Sequence, residues 1–272
     1  PSAPPHAQIL RHAAYESLKS DLLAYANSKR APTTKIKKSW FETWWFARKV
    51  GEIDLDAKWS DPIIISYTNN SEMKAADDAL ASEILSATQG EKKRNKFIKG
   101  VNAIASQAKD AFNKAVSKSN NRPLSKAGPV ISVDDDIAKI QYLGKTLKVN
   151  TAFLDKLRYL HRNVNGDDST SFNYDVFSLL LRYDTLEGAG FQASIPPGVF
   201  DALLQNFEAR MELFASPLNS RYVRFCSAFP DVDGAFGSVG TAWTFEPTSG
   251  SFEANPPFAD AVIERMADHL EG

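Results

Sequence analysis

Four consecutive residues near the end of the sequence could bind the exocyclic amine of an adenine-like base. They are Asn255-Pro256-Pro257-Phe258. That amine is a weak nucleophile, because its lone pair is delocalised into the ring. The Asn255 side-chain oxygen and the backbone carbonyl of the next residue could each accept one amine hydrogen. The two prolines would hold that carbonyl in a fixed direction, and the aromatic ring could stack on the base. The tetrapeptide predicts methyl transfer to an adenine amine through positioning rather than through a strong base.

The same four residues also fit a strand end with a Pro-Pro turn, in which Asn255 serves only as a turn residue. Proline makes up about 5% of protein residues, so a Pro-Pro pair between Asn and Phe rarely arises by accident. An amphipathic helix is predicted to follow from Ala259 to Leu270. We therefore favour the chemical interpretation.

Loops of small and polar residues precede the tetrapeptide, each close to a short apolar run. They are Ser216-Pro217-Leu218-Asn219, Ala228 to Asp233 and Phe236-Gly237-Ser238. Small residues after a strand let a cofactor approach the backbone closely. Asp231 and Asp233 could accept hydrogen bonds from ribose hydroxyls or an ammonium group. Taken alone, these loops are more simply explained as surface turns between strands.

The elements that must position these loops change in character along the chain. Apolar residues at helical spacing predict helices in the first half, and alternating residues predict a small hairpin between residues 130 and 149. Thr151 is expected to cap a helix that runs to Arg162, and another helix is predicted over Pro197–Phe207. The predicted helices of the first half are Gln8–Ala26, Lys35–Lys49, Ser71–Gln89 and Lys92–Val116.

From Glu212 onward, short apolar stretches alternate with loops rich in Gly, Pro, Asp and Ser, which indicates strands of an open α/β sheet. The predicted strands lie at residues 211–214, 223–225, 243–245 and 251–252. We expect a mainly helical domain with a hairpin over residues 1–175 and the first part of an α/β domain over residues 176–272. Since the chain starts without Met and stops soon after the tetrapeptide, we interpret it as a piece of a longer protein.

Composition excludes several kinds of site. The single cysteine, Cys226, rules out a disulfide framework, and the four histidines share no ligand spacing, so we expect no metal. No apolar run is long enough for a membrane span, and we expect no membrane partner. The net charge of -1 gives no overall attraction to nucleic acid. One basic helix face could contact RNA, although a solvated face is the simpler interpretation; its residues are Lys92, Lys93, Arg94, Lys96, Lys99, Lys109, Lys114 and Lys118.

Residues 176–270 closely resemble the phosphorylated CTD interacting factor family. The stretches that carry the resemblance are Leu181-Arg182-Tyr183, residues 187–193, Pro196, Val199-Phe200, residues 214–219, residues 225–233, Phe236-Gly237-Ser238 and residues 249–258. The resemblance implies a Rossmann-like class I methyltransferase domain after a helical domain. It also implies that S-adenosyl-L-methionine is used to methylate N6 of the 2′-O-methyladenosine at the capped 5′ end of mRNA.

Residue roles follow from the resemblance. It assigns catalysis and adenine binding to Asn255, Pro256, Pro257 and Phe258. Cofactor contacts fall to the Ser216–Asn219 loop and to Phe236, Gly237 and Ser238. Asp260 is the acidic residue nearest to a substrate-contacting position of the family, and Ala259 stands where a cysteine is expected. Arg11 and Arg48 are the candidates for the capped RNA.

The resemblance also implies a nuclear or cytoplasmic protein whose partners are capped mRNA and the phosphorylated RNA polymerase II tail. The WW domain that reads this tail in animal members is not expected in this chain. Two alternatives stay open. The protein could be a non-catalytic scaffold that binds capped RNA or the polymerase tail, or it could be a DNA adenine-N6 methyltransferase.

Overall fold

The computed structural model describes residues 5–30, 36–37, 39–50, 61, 63, 71–85, 90–119, 127–167, 169–186 and 194–271. Its contacts divide the chain into two compact units. The first unit comprises Pro1–Ile9, Ala57–Ser60 and Leu124–Pro256, and the second comprises Leu10–Asp56, Asp61–Pro123 and Pro257–Gly272. The units do not follow the predicted boundary between residues 175 and 176, which lies inside a helix of the first unit.

The second unit is helical. Its elements are most of α1 (Pro5–Lys29, from Leu10 onward), α2 (Trp40–Val50), α3 (Ser71–Ile84), α4 (Glu91–Ser119) and α9 (Asp260–Glu271). A helix is present at each of the four positions predicted from periodicity, because most of the apolar residues that predicted them are buried. The second helix begins at Trp40, so the prediction is wrong at Ile36 and Lys37, which are not helical. Lys35 and residues 86–89, the predicted ends of two helices, lie outside the described residues.

Aromatic residues of α2 form the core of this unit. Phe41 and Trp45 are fully buried, and the Trp45 indole N–H donates to the Tyr15 hydroxyl at 2.8 Å. The Tyr15 and Phe41 rings meet edge to face, with their centroids 6.0 Å apart. The tryptophans of this helix therefore stabilise the core rather than form a stacking surface for a base.

In the first unit an antiparallel sheet joins β1 (Val130–Asp134), β2 (Ile137–Tyr142) and β3 (Lys145–Asn150) in sequence order. The predicted hairpin is thus a three-stranded meander, because β1 also pairs along β2. The helix α5 (Thr151–Asn165) follows directly. Its cap is Asn150 rather than the predicted Thr151, since the Asn150 side chain accepts from the Ala152 N–H at 2.9 Å.

The helices α6 (Ser169–Asp184) and α7 (Pro197–Phe207) precede a second sheet of parallel strands, β4 (Glu212–Ala215) and β5 (Phe225–Ser227). Two single-residue bridges extend this sheet, Glu253 beside β4 and Ser238 beside β5, both parallel. The short helix α8 (Pro230–Asp233) and a 3-10 turn (Gly234–Phe236) connect β5 to Ser238. The spatial order is therefore Glu253, β4, β5, Ser238.

Three predicted strands are wrong in detail. Residues 251–252 are not a strand, because only the next residue, Glu253, forms a bridge to β4. Residues 243–245 are not a strand, because Ala242–Thr244 form a 3-10 turn that places the Trp243 ring 5.3 Å from the Phe214 ring. Of the run 223–225, only Phe225 lies in a strand. Within the described residues, no helix is both long enough and apolar enough to span a membrane.

Candidate functional site

The carboxyl ends of the four parallel segments bring the predicted loops to one edge of the sheet in the first unit. Ser216–Asn219 follows β4, Ala228–Asp233 follows β5, and Val239–Thr241 follows Ser238. Residues Ala254, Asn255 and Pro256 follow Glu253, which is held beside β4 by hydrogen bonds to Met211 and Leu213 of 3.0 and 2.8 Å. Ligands of open α/β sheets bind where the order of strands reverses, and here the reversal lies between β4 and Glu253.

Asn255 and Pro256 present acceptors at this edge. Pro256 is buried and Asn255 is half-buried. Within the described part of the chain, neither the Asn255 side-chain oxygen nor the Pro256 carbonyl accepts a hydrogen bond. An exocyclic amine has two hydrogens to donate, so it needs two acceptors, and these two oxygens could provide them.

Pro257, Phe258 and Asp260 belong to the second unit. The Phe258 side chain is 79% exposed, which leaves its ring open to stacking. Asp260 is exposed and is the first residue of α9, where a carboxylate stabilises the helix through its dipole. Its position is explained without a substrate, so its predicted substrate role stays a prediction.

The Ser216–Asn219 loop is a closed turn. The Asn219 side-chain oxygen accepts from the Ser216 N–H at 2.7 Å and from the Ser216 hydroxyl at 3.0 Å, and this hydroxyl accepts from the Leu218 N–H at 3.2 Å. The turn is therefore fixed before any ligand arrives, and its backbone directly follows β4.

The helices α5 and α6 hold the loops in place. From α5, the Lys156 ammonium donates to the Leu218 carbonyl at 3.2 Å, and the Asn165 amide donates to the Ala235 carbonyl at 2.9 Å. From α6, Arg182 and Tyr183 bind the two carboxylates of α8, as described next.

Arg182 is a positioning residue that sequence reasoning missed. Its guanidinium is 1% exposed and makes a bidentate pair with Asp231, at 3.0 and 2.7 Å, while its Nε donates to Gln8 at 3.1 Å. The adjacent Tyr183 hydroxyl donates to Asp233 at 2.7 Å. One signal was available: an arginine inside the apolar run 176–183 must find an acidic partner if the run is buried.

Asp231 and Asp233 are therefore structural rather than the cofactor ligands that the sequence suggested. Asp231 is engaged by Arg182, and Asp233 has no exposed surface. Burial raises the pKa of Asp233 to about 7, although hydrogen bonds from Tyr183 and Ser227 favour its charged form. Burial and the nearby Asp233 charge raise the pKa of Tyr183 well above its usual value.

Two residues of the predicted cofactor loop Phe236-Gly237-Ser238 have packing roles, and their predicted cofactor contacts stay predictions. Phe236 is fully buried, with its ring centroid 5.6 Å from that of His161 and 6.5 Å from that of Phe172. Gly237 has a φ of +109°, and a Cβ there would lie 2.1 Å from the Val223 carbonyl oxygen. Both residues thus support the loop by packing. Ser238, whose hydroxyl lies 2.8 Å from that of Ser227, stays at the edge of the sheet.

Arg11 and Arg48 are not surface arginines, which corrects the expectation that they bind capped RNA. Both side chains are 1% exposed and belong to the second unit. Arg11 pairs with Asp61 at 2.6 Å, and Arg48 pairs with Asp77 at 2.7 Å. Asp77 also accepts from the Trp44 indole at 2.8 Å. Their charge is compensated inside the helical core, where it holds helices together.

Three titratable side chains interact with one another at β4: Glu212 in the strand, Glu253 in the segment paired with it, and Lys156 of α5. Glu212 is buried and accepts from the Arg221 and Tyr222 N–H groups at 2.7 and 3.1 Å, yet burial still raises its pKa. Burial, with the Glu212 charge beside it, raises the pKa of Glu253 to about 7. Burial lowers the pKa of Lys156 to about 8, although the negative charge of Glu212 favours the charged ammonium.

Cys226 of β5 is a core residue. Burial raises the pKa of its thiol to about 12, so it packs in the core rather than acting as a nucleophile.

Within the described residues, no three His, Cys, Asp or Glu side chains lie close enough together to hold a metal ion. The polar groups at this edge of the sheet are backbone groups, hydroxyls and amides.

Part of this chain is similar in sequence to known proteins. Residues 154–272 match the family model described as the phosphorylated CTD interacting factor 1 WW domain. The chain is 43% identical over 147 residues to a Mus musculus and to a Homo sapiens mRNA (2′-O-methyladenosine-N(6)-)-methyltransferase. Each alignment covers 51% of this chain and 21% of the relative, so the chain spans about a fifth of the length of these relatives.

Residues 154–272 are therefore similar to the phosphorylated CTD interacting factor family. The matched range contains α6, both parallel strands and the Asn255–Phe258 tetrapeptide. The description of the family model names a WW domain, a module class that binds proline-rich peptides, so the expectation that this module is absent is not confirmed.

The packing role of Gly237 predicts a stability difference. Gly237→Ala should lower the free energy of unfolding by about 1–3 kcal/mol, because the new methyl group requires a strained φ and displaces the Val223 carbonyl. Gly198→Ala is the matched control, since a Cβ added at this position in α7 would have no atom within 4 Å. It should leave stability unchanged or raise it by up to about 1 kcal/mol. Equal effects in urea unfolding would contradict the packing role.

The buried carboxyl of Glu253 predicts a pH effect. Because its pKa rises from 4.5 to about 7 on folding, the protonated form favours the folded state. Stability from this group is present below about pH 4.5 and is lost as the pH rises to about 7. Glu253→Gln should therefore be more stable than wild type at pH 7.5, and the difference should shrink towards pH 4.5. A constant difference in unfolding free energy across this range would show that Glu253 titrates normally.

Proposed function

We propose that this chain carries part of the active site of an S-adenosylmethionine-dependent RNA methyltransferase, which methylates N6 of the 2′-O-methyladenosine next to the mRNA cap. The observation that carries the proposal is the pair of acceptors at Asn255 and Pro256. Both follow a parallel segment at the reversal of strand order, and neither is used by the described residues. The names of the mouse and human relatives support the same reaction and substrate.

The order of parallel segments supports a Rossmann-like class I methyltransferase domain. Numbered along the chain, the segments stand in the order 3-2-1-4, from Ser238 through β5 and β4 to Glu253. This is the beginning of the doubly wound order 3-2-1-4-5-6, whose ligands lie between strands 1 and 4.

Residues on either side of that reversal fit a nucleotide-like cofactor. S-adenosylmethionine, when bound, would supply an electrophilic methyl group. The prearranged Ser216–Asn219 turn and the backbone from Ser238 to Thr241 would hold it, because both are short loops of small residues at the carboxyl ends of strands. Asn255 would then orient the adenine amine towards the methyl group, with the proton leaving the methylated amine passing to water.

Stacking on an aromatic ring would bind the base in addition to the hydrogen bonds. The exposed Phe258 ring follows the two acceptors in the chain and offers an aromatic face to an adenine. A first-transcribed adenosine is single-stranded, so it can enter a pocket without the cost of unpairing a duplex. We further propose nuclear action on capped mRNA, in association with the phosphorylated polymerase tail, in line with the description of the matching family model.

Asn255→Ala should reduce methyl transfer by about 100- to 1000-fold, because one of two preorganised acceptors is removed from the transition state. Binding of capped RNA should change little. Asn206→Ala is the matched control, since Asn206 is exposed on α7 and its amide donates only to the Ala202 carbonyl, at 2.8 Å. The measurement uses the full-length enzyme, labelled cofactor and capped RNA that begins with 2′-O-methyladenosine. Near-full activity of Asn255→Ala would overturn the assignment.

The same assay with three substrates separates the proposed function from its alternatives. Label should enter capped RNA and not uncapped RNA or duplex DNA. Label in DNA alone would identify a DNA methyltransferase. Cap binding without any label would identify a scaffold.

A further inference from the structure

The helix α4 is strongly positive, although the chain as a whole is nearly neutral. It contains eight Lys or Arg residues and two acidic residues, while the whole chain has a net charge of -1. Four lysines fall within its first three turns. We define the lysine surface as Lys92, Lys93, Lys96 and Lys99, all of which are exposed.

Three of the four lysines lie on one side of the helix, and Lys93 lies about 100° round the helix from Lys92. Lys92, Lys96 and Lys99 follow the i, i+4, i+7 spacing of a single face, and the buried side chains of Phe97 and Val101 mark the opposite side. The neighbouring Arg94 is paired with Asp78 at 2.9 Å. By contrast, none of the four lysines forms an ion pair with any residue in the described ranges.

Electrostatics at this position favour a bound anion. Like charges at i, i+3 and i, i+4 repel each other along the helix. Lys92 and Lys93 also lie in the first turn, at the positive end of the helix dipole, where a cation is unfavourable. Glu91 lies in the same turn and offsets part of the dipole effect, whereas a polyanion along this face would relieve the repulsion among the lysines.

We propose that the lysine surface binds the phosphate backbone of the RNA downstream of the capped end. The inference rests on the proposed function, because an enzyme that acts on the first transcribed nucleotide always meets RNA continuing from it. Two features favour RNA over other polyanions. No large hydrophobic residue is exposed along α4, so the face lacks what membrane insertion or an apolar protein contact requires. Lysines, unlike arginines, contact phosphates as point charges without reading bases, which suits a transcript of any sequence.

The test compares two triple variants in the full-length enzyme. Lys92→Gln/Lys96→Gln/Lys99→Gln removes the lysine surface, and Gln preserves helix propensity. Lys37→Gln/Lys74→Gln/Lys148→Gln removes the same charge from exposed positions elsewhere. The probes are capped RNAs of four and thirty nucleotides that begin with 2′-O-methyladenosine, and affinity is measured by fluorescence anisotropy over a range of salt concentrations.

The lysine-surface variant should bind the long RNA about tenfold more weakly at low salt, and the slope of log affinity against log salt should fall by about 2. Its binding and methylation of the short RNA should stay within about twofold of wild type, and the control variant should match wild type on both probes. Equal losses for the two variants, or equal losses on both RNAs, would overturn the proposal.

Two further outcomes are informative. If the lysine-surface variant loses binding to a phosphorylated polymerase-tail peptide but keeps its affinity for the long RNA, the surface serves an acidic protein partner and the proposal is wrong. If wild type methylates neither RNA but binds the long one through the lysine surface, the proposed function fails while this inference stands.

Discussion

The arrangement of the candidate site depends on one buried interaction, the bidentate pair between Arg182 of α6 and Asp231 of α8. A guanidinium that is 1% exposed is tolerated only with a compensating charge and satisfied donors, and Asp231 and Gln8 provide them. The adjacent Tyr183 binds Asp233, so α8 is attached to α6 at two positions. Because α8 follows β5 directly, this attachment fixes where β5 ends and where its loop must turn.

The parallel sheet links the position of α8 to the positions of Asn255 and Pro256. The strand β5 pairs with β4, and β4 pairs with Glu253, two residues before Asn255. Glu253 is held on both sides, by bonds from its N–H to the Met211 carbonyl and from the Leu213 N–H to its own carbonyl. The Asn255 and Pro256 acceptors are therefore placed by regular backbone pairing, while the intrinsic stiffness of the prolines fixes the carbonyl direction. Preorganisation of this kind is what a weakly nucleophilic amine requires.

The sequence predicted the features that depend on local pattern. Helical periodicity located α1 to α4, and the Asn-Pro-Pro-Phe tetrapeptide predicted methyl transfer to an adenine amine, which remains a prediction. It could not predict features that depend on distant partners. Arg11 and Arg48 look like surface residues in sequence, yet their partners Asp61 and Asp77 lie 50 and 29 positions away and draw them into the core. Asp231 likewise looked like a ligand until Arg182, 49 positions earlier, was found to bind it.

The central claim is that the loops after the parallel segments, rather than the helical unit, hold the cofactor beside Asn255. Hydrogen exchange of the full-length enzyme with and without S-adenosylhomocysteine tests this most directly. Slower exchange should appear at residues 216–219, 239–241 and 254–255, with no change in β1 to β3 or in α4. Protection confined to other segments, with these three loops unchanged, would contradict the account.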